Sequence, residues 1–328
     1  MQHRHQLLRI LADGQFHSGE DIGAILGISR SAVWKSLKAF DELGLDIQAV
    51  PRRGYRLAEP LELLDKKRIL SAMNTASRQL LSDLEIHEEI DSTNRLVMQK
   101  AAAGSKSGLV CLAEWQRSGR GRRGRPWISP YGGNIYLSFL WRFTEGVPDV
   151  LSMLSLVAGV AVARTAEQFG VPDVGLKWPN DILVNRRKLG GILLEFAGEG
   201  SGPCHIVSGI GVNFRMNQGI GKDIDQPWSD ICSYTPTVSR NEFAGALLEN
   251  LLSAYSDYQI GGFAPFLSDW NRLDICRGQK IVLQLQDGHI TGEAQGIDDQ
   301  GALLIRTDNG IERYCYGEVS LRMMNSTE

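Results

Sequence analysis

The hydrophobic pattern of this chain changes character twice along its 328 residues, and this change limits the possible folds more than any single motif does. Residues 1–63 show short helical patterns and then two strand-like pieces. Residues 64–273 alternate between strand-like and helical patterns, whereas residues 274–328 read as short strands separated by turns. We therefore predict an α+β protein of three domains, which meet near residues 63 and 273.

The composition is that of a globular protein, with 43% hydrophobic and 22% charged residues, so a sizeable core is available. The net charge of −3 argues against a broad nucleic-acid-binding surface, and any contact with DNA requires a local basic patch. The five cysteines are scattered and form no CxxC pair. They predict buried thiols in a reducing compartment, and neither a disulfide framework nor a metal site is expected.

The chain also lacks the patterns of secretion or membrane insertion. Its N-terminal residues show no apolar run of the signal-peptide type. The most apolar stretch, residues 150–163, is too short to span a bilayer and is followed by Arg164, so it predicts a buried core helix. We expect a cytoplasmic protein that does not contact a membrane.

The first region contains two predicted helices joined by a glycine-containing turn. Ser18 and Ser29 are placed to cap these helices, and the second helix is expected to extend to about Leu43. Strand-like pieces at 46–50 and 55–57 then enclose an arginine-rich turn. This order predicts a winged helix-turn-helix head.

The exposed side of the second helix and the predicted wing carry residues that suit contacts with phosphates and the DNA groove. An ordinary three-helix packing module with solvated lysines would give a similar helical pattern, but the basic wing directly after the helix favours DNA binding. The predicted DNA-binding residues are Ser29, Arg30, Ser31, Trp34, Lys35, Lys38, Arg52 and Arg53.

The second region is predicted to form a mixed α/β domain. Its predicted strands are residues 84–90, 108–115, 134–142, 175–177, 181–184, 191–197 and 205–212. Its long predicted helices are residues 150–169 and 242–258, and Ser239 and Glu242 form a capping box before the second. The third region has turn signals at 287–288, 300–301 and 309–310, which predict a small antiparallel barrel.

Residues 118–126, SGRGRRGRP, contain the densest group of arginines in the chain. The segment formally matches GxGxxG, but a proline-containing stretch follows it where a dinucleotide-binding fold requires a helix. Glycines let the backbone approach a ligand, and guanidinium groups bind phosphate and carboxylate in bidentate fashion. The segment therefore favours an anion-binding loop over the alternatives, which are a basic surface loop and an exposed linker.

Two further segments carry polar groups that suit a ligand site. Lys177–Asp181 (KWPND) precedes Lys188, which lies where a turn leads into a strand with two glycines. Residues 91–94 (DSTN) lie at the end of a strand and the start of a helix. Each segment alone has an ordinary explanation, a lysine in a hairpin turn and a helix N-cap, respectively.

Together these segments resemble the biotin–protein ligases, specifically the bacterial bifunctional ligase/repressor type. The matching pieces are DSTN at 91–94, AEWQRSGRGRRGRPWISPYGGNIYLSF at 113–139, KWPNDILV at 177–184, RKLGGILLE at 187–195 and GIGVNF at 209–214. They occur in the family's order and spacing, and the resemblance covers essentially the whole chain. It implies a class II synthetase-like catalytic domain and a C-terminal SH3-like barrel.

The resemblance implies a two-step reaction. Biotin's carboxylate attacks the α-phosphate of Mg·ATP to give biotinyl-5′-adenylate and pyrophosphate. A lysine of the biotin carboxyl carrier protein then attacks the adenylate and releases AMP. No covalent enzyme intermediate is required, so catalysis would depend on positioning and charge stabilisation.

The resemblance also implies a set of site residues. Lys188 and Arg122 are the expected catalytic cations, and Asp181 is the candidate acceptor for the proton of the carrier lysine. Trp127 is expected to wall the apolar chain of biotin or to belong to the core. The expected biotin-binding residues are Ser92, Thr93, Asn94, Gln116, Arg120, Gly121, Arg122 and Lys188. The expected nucleotide-binding residues are Lys177, Asn180, Asn213 and Trp228.

In this family type the adenylate is also the corepressor. It favours a homodimer that places two heads on operator DNA and represses biotin biosynthesis genes. Two alternatives remain, a transcriptional regulator whose body only senses a ligand and a lipoate ligase, which shares the body fold. The presence of Arg122 and Lys188 argues against the first, and the arginine-rich motif and the head argue against the second. The residues alone do not distinguish biotin from another carboxylic acid.

Overall fold

The structure is a computed structural model, which describes residues 2–38, 40, 43–143, 150–198, 204–216, 224–285, 288–315 and 320–323. The elements follow the three predicted regions. A small helical head with a two-stranded hairpin comes first, a seven-stranded sheet with helices on both faces follows, and a five-stranded antiparallel sheet ends the chain.

The head consists of α1 (Gln2–Leu11), α2 (Gly19–Leu26), α3 (Arg30–Lys38), β1 (Ile47–Val50) and β2 (Gly54–Leu57). The predicted caps are confirmed, because the hydroxyl oxygens of Ser18 and Ser29 accept hydrogen bonds from the N–H groups of Asp21 and Ala32 at 3.0 and 3.3 Å. Strands β1 and β2 pair as the predicted antiparallel wing.

Helix α3 is shorter than the prediction, which extended it to about Leu43. It ends at Lys38, after which the Phe40 N–H bonds to the carbonyl of Leu37, three residues back, in a tighter turn. Residues 39, 41 and 42 lie outside the described part of the chain.

The second region, called the body below, has a larger set of elements than the sequence pattern predicts. Its helices are α4 (Lys66–Ser71), α5 (Thr75–Gln79), α6 (Thr93–Ala102), α7 (Val150–Gln168), α8 (Arg240–Gly261) and α9 (Leu267–Leu273). Its strands are β3 (Asp83–His87), β4 (Leu109–Ala113), β5 (Asn134–Phe143), β6 (Val174–Lys177), β7 (Asp181–Val184), β8 (Arg187–Gly198) and β9 (Cys204–Asn213). Helices α4, α5 and α9 were not predicted, because five to seven residues are too few to show a helical period.

The seven strands are ordered β3-β4-β5-β9-β8-β7-β6, and the pairing of β3 with β4 is parallel. The other five pairings are antiparallel, so the predicted mixed α/β domain is confirmed. Strand β8 begins at Arg187, four residues before the predicted strand, which places Lys188 inside the strand directly after the β7–β8 turn.

The two faces of this sheet differ in how they are covered. Helices α7 and α8 cover one face and form the main hydrophobic core. Helix α6 packs on the other face, where Val97 and Ala101 lie in one hydrophobic cluster with Val207 of β9. Next to α6, the same face carries glycines of β8 and β9. Gly191 of β8 pairs with Gly211 of β9, and Gly209 of β9 pairs with Ser138 of β5. This glycine-lined face, defined by Gly191, Gly209 and Gly211, leaves room for loops and side chains to lie directly on the sheet.

The C-terminal sheet contains β10 (Lys280–Leu285), β11 (Gly288–Ile297), β12 (Leu303–Thr307), β13 (Gly310–Tyr314) and β14 (Ser320–Met323), ordered β13-β12-β11-β10-β14. The predicted turns at 300–301 and 309–310 connect β11 to β12 and β12 to β13, while residue 287 of the third predicted turn lies outside the described residues. The indole N–H of Trp178 donates to the Gly301 carbonyl at 3.1 Å and so ties this sheet to the body.

Four of the five cysteines are buried as predicted, and burial raises the pKa of the Cys111 thiol to about 12. The prediction is wrong for Cys315, which is exposed because it follows β13 at the edge of the C-terminal sheet. Within the described ranges, no helix has the length and apolar character needed to cross a bilayer.

We predict that Gly209→Ala lowers the free energy of unfolding by about 1–3 kcal/mol. A Cβ at this position would lie 2.1 Å from Oδ1 of Asn94, whose side chain is held by hydrogen bonds and cannot withdraw without breaking them. Chemical denaturation measures the effect. Gly159→Ala in α7 is the control, because its Cβ would meet nothing closer than 3.4 Å and alanine favours the helix. Equal stabilities of the two variants would contradict the prediction.

Candidate active site and nucleic-acid interface

Three charged side chains meet at one end of the glycine-lined face. The carboxylate of Asp181 contacts Nζ of Lys188 at 2.7 Å and Nζ of Lys177 at 3.2 Å. Lys177 pairs directly with Asp181 across β6 and β7, so their side chains share a face. All three side chains are less than one-fifth exposed.

Lys188 reaches this face because of an irregularity in strand pairing. Ile182 pairs with Gly190, but Leu183 pairs with Lys188, so Leu189 is an extra residue on β8. A regular ladder would pair Lys188 with Val184 and turn its side chain to the opposite face, since successive residues alternate. The bulge therefore aims Lys188 at Asp181.

The two lysines determine the charge state of Asp181. Burial alone would raise its pKa, but the charges and hydrogen bonds of Lys188 and Lys177 outweigh burial and hold the pKa below the ordinary value. The cluster thus carries one more positive than negative charge, which suits a phosphate or carboxylate ligand.

The DSTN turn lies at the other end of the glycine-lined face. Its Thr93 donates from both the main-chain N–H and the hydroxyl to Oε1 of Gln116, at 2.9 and 3.1 Å. Ser92 is the N-cap residue of α6 and is buried, but its hydroxyl makes no capping hydrogen bond. Because Gln116 uses its oxygen on Thr93, its amide NH₂ is the group left to donate to a ligand.

Asn94 is held from three sides. Its NH₂ donates to Oε2 of Glu195 at 2.8 Å and to the Leu193 carbonyl at 3.2 Å, and its Oδ1 lies 2.5 Å from the hydroxyl of Ser138. Gly209 lies beneath the side chain and makes room for it. Asn94 is therefore held in one orientation by the protein in this arrangement.

The arginine–glycine loop folds back on itself as a narrow hairpin. The Gly121 N–H donates to the Arg125 carbonyl at 2.8 Å, and the Trp127 N–H donates to the Gly119 carbonyl at 2.9 Å. Arg123 has a left-handed φ of 56° at the tip. Arg120 lies between these two hydrogen bonds, so its own N–H and carbonyl point away from the hairpin.

Two arginines of the loop reach the glycine-lined face. Arg120 Nη2 contacts Oε1 of Glu195 at 2.8 Å, and Arg122 Nη1 donates to Oδ1 of Asn180 at 3.1 Å. Asn180 is fixed in turn, because its NH₂ and the Ile192 carbonyl are hydrogen-bonded at 3.0 Å. The loop thus lies between the DSTN turn and the lysine–aspartate cluster.

Trp127 packs against the sheet where glycines replace side chains. A Cβ on Gly211 would lie 2.7 Å from the indole ring, and Lys188 Nζ lies 5.8 Å from its centroid. The indole Nε1 is buried without a hydrogen-bond partner. The ring is therefore a half-buried apolar wall next to the catalytic lysine candidate.

The predicted nucleotide residues surround the backbone of Lys188. Asn213 donates its NH₂ to the carbonyls of Lys188 and Ser229 at 3.2 and 3.1 Å. Trp228 forms a parallel bridge with Lys188 and lines an open cleft of about 340 Å³. Lys177 and Asn180 lie at the start of this region, so all four predicted residues adjoin one end of the sheet face.

Sequence reasoning did not single out Glu195, Ser138 or Asn134, although each joins two parts of the site. Asn134 is fully buried and accepts the Phe214 N–H through its side chain at 3.1 Å. All three residues lie within the motifs at 113–139 and 187–195. Each is an acidic or small polar residue inside an apolar strand, and this pattern could have marked them as site residues. Such residues are rarely buried without a partner.

The head presents a separate basic surface. All six predicted residues of α3 and its cap are exposed, and Lys38 Nζ lies 3.9 Å from the centroid of the Trp34 ring. At the wing, Arg52 has a left-handed φ of 63°. The guanidinium groups of Arg53 and Arg56 lie 4.2 and 4.7 Å from the centroid of the Phe16 ring, so this aromatic ring orders two cations.

The head also contacts the body close to the arginine–glycine loop. Glu89, which follows β3, pairs with Arg4 of α1 at 3.0 Å and also with Arg117, which directly precedes the loop. Tyr131, which follows the loop, is buried in the hydrophobic cluster of the head. The head is therefore linked to residues on both sides of the loop, through Glu89 to Arg117 on one side and directly to Tyr131 on the other.

The comparisons with known proteins agree with this architecture. Residues 86–213 match the biotin/lipoate A/B protein ligase family, residues 278–322 match the biotin protein ligase C-terminal domain, and residues 3–56 match an HTH domain. The biotin protein ligase from Aquifex aeolicus in complex with biotin and ATP superimposes with a TM-score of 0.64 at 27% identity, over 74% of this chain and 100% of that chain.

Curated relatives match over nearly the full length. The bifunctional ligase/repressor BirA of Escherichia coli K12 is 39% identical over 97% of this chain and 96% of its own length. BirA of Bacillus subtilis 168 is 31% identical over 94% of this chain and 95% of its own length. The chain therefore belongs to the bifunctional ligase/repressor family of biotin protein ligases.

Proposed function

We propose that this protein activates biotin with ATP and transfers it to a lysine of the biotin carboxyl carrier protein. The observation that carries the proposal is the meeting of the DSTN turn, the arginine–glycine loop and the Lys188–Asp181–Lys177 cluster on one glycine-lined face. The relatives support it, since one is named a bifunctional ligase/repressor, another is named a biotin–[acetyl-CoA-carboxylase] ligase, and one solved relative was obtained with biotin and ATP.

In the first step a carboxylate oxygen of biotin forms a bond to the α-phosphorus of ATP, and pyrophosphate leaves with the electrons of the broken P–O bond. Lys188 and Arg122 neutralise the negative charge that accumulates between the two anions. ATP is used as its Mg²⁺ complex. Ser92, Thr93, Gln116, Arg120 and Gly121 bind the head of biotin, with Trp127 along its apolar chain.

In the second step the carrier lysine attacks the adenylate carbonyl, forms an amide and releases AMP. The lysine must lose a proton, and Asp181 is the proposed acceptor. With both lysines in contact Asp181 is a weak base, but its pKa rises once Lys188 turns toward the phosphate. Lys177, Asn180, Asn213 and Trp228 hold the nucleotide.

The proposal includes the regulatory half of the family. The adenylate-bound chain forms a homodimer, and the exposed surface of α3 and the wing binds operator DNA to repress biotin biosynthesis genes. We propose a cytoplasmic protein with domains at residues 1–63, 64–273 and 274–328. The attachment of the loop to the head through Glu89 and Tyr131 supports communication between ligand and DNA.

We expect ATP–pyrophosphate exchange that depends on biotin, since the first step is reversible. Exchange of labelled pyrophosphate into ATP, with mass spectrometry of the adenylate, measures it. Lipoate is the matched control substrate, because it is also a carboxylic acid with an apolar chain. Exchange with lipoate and none with biotin would establish the lipoate-ligase alternative. No exchange with either acid, in a protein that binds one of them, would establish a ligand-sensing regulator.

We predict that Arg53→Ala weakens binding to duplex DNA of random sequence and reduces the slope of log K against log salt concentration by about 1, the value for one phosphate contact. Fluorescence anisotropy at several salt concentrations measures the slope. Arg272→Ala on α9 removes the same charge from the body and should leave the slope unchanged. A slope for Arg53→Ala equal to that of the wild type would exclude this wing contact.

A further inference from the structure

Glu195 joins the two segments to which the proposed function assigns biotin. One carboxylate oxygen, Oε1, accepts the ion pair from Arg120 of the arginine–glycine loop at 2.8 Å. The other, Oε2, accepts the hydrogen bond from Asn94 of the DSTN turn, also at 2.8 Å. Its side chain is 24% exposed, so the contacts are partly shielded from water.

On the DSTN side, Glu195 fixes the orientation of an amide. Because the NH₂ of Asn94 points to Glu195 and the Leu193 carbonyl, its Oδ1 must point to Ser138. The hydroxyl of Ser138 also lies 2.7 Å from Oγ1 of Thr93, which bonds to Gln116. A series of close polar contacts therefore connects Glu195 to the amide of Gln116.

On the loop side, Glu195 holds Arg120, whose main-chain N–H and carbonyl are not used within the loop hairpin. Arg120 directs its own N–H and carbonyl away from the loop hairpin, while its guanidinium is committed to Glu195. The neighbouring arginines repel one another, and an anchoring carboxylate counteracts that repulsion. Without this anchor the loop would lose its fixed distance from the DSTN turn.

We propose that Glu195 is a positioning residue for biotin recognition, which holds Arg120 and Asn94 so that the cleft for the biotin head is formed before the ligand arrives. It does so without touching the reacting atoms. This inference rests on the proposed biotin specificity. It predicts an effect on biotin binding that is separable from nucleotide binding and from the chemical step.

The test is Glu195→Gln, which keeps the size of the side chain and removes its charge. The KM for biotin is expected to rise about tenfold, while the KM for ATP and kcat of adenylate formation change less than threefold. Glu85→Gln is the matched control. Glu85 of β3 is 23% exposed and makes an ion pair with Lys100 of α6, which does not involve the arginine–glycine loop. It should leave all three constants unchanged.

A double-mutant cycle tests whether Glu195 acts through Arg120. Arg120→Gln breaks the same ion pair and leaves the acceptor of Asn94 in place, so it should also raise the KM for biotin. The KM of the double variant for biotin should be no higher than the larger of the two values for the single variants. If thermal melting shows that Glu195→Gln does not fold, Arg120→Gln becomes the test. An unchanged KM for biotin in Arg120→Gln would then overturn the proposal.

An unchanged biotin KM in folded Glu195→Gln, an equal change in Glu85→Gln, or multiplicative effects in the double variant would each overturn the positioning role. A fall in kcat with an unchanged biotin KM would overturn it as well. These outcomes differ from failure of the proposed function, in which the wild-type protein itself forms no adenylate from biotin.

Discussion

The ion cluster in which one carboxylate, Asp181, holds two ammonium groups is the interaction on which the rest of the site depends. The pairing of β6 with β7 places Lys177, and a bulge in the pairing of β7 with β8 places Lys188. The cluster keeps an excess positive charge at low exposure, and the aspartate limits the repulsion between the lysines. An incoming anion can then replace the carboxylate as the partner of Lys188, and the excess positive charge offsets the negative charge that it brings.

The glycine-lined face gives this cluster a space in which to act. Gly191 and Gly211 let Trp127 lie on the strands, and Gly209 does the same for Asn94. The opposite face is filled by α7 and α8, which fixes the strands in position. A sheet with glycines on one face can thus hold a polar head, an apolar chain and a phosphate in that order, which is the order of these groups in the proposed adenylate.

Much of this arrangement was predictable from the sequence, because the motifs occur at strand ends and turns whose elements have clear periods. The resemblance to the family assigned Lys188 and Asp181 to one site, while the periods predicted the head, the mixed sheet and the antiparallel C-terminal unit. The bulge at Leu189 was not, since register depends on the partner strand. The role of Glu195 and the burial of Tyr131 in the head depend on contacts across more than one domain or strand, which no local pattern encodes.

The central claim is that the Lys188 ammonium stabilises charge at the α-phosphate. The rate of biotinyl-adenylate formation in a single turnover by Lys188→Ala tests it most directly, with Lys100→Ala as the control, because Lys100 also makes a 2.7 Å ion pair with a carboxylate. We expect a loss of at least about 100-fold, or about 2.7 kcal/mol, for Lys188→Ala, and a near-normal rate for the control. A near-normal rate for folded Lys188→Ala would contradict the account.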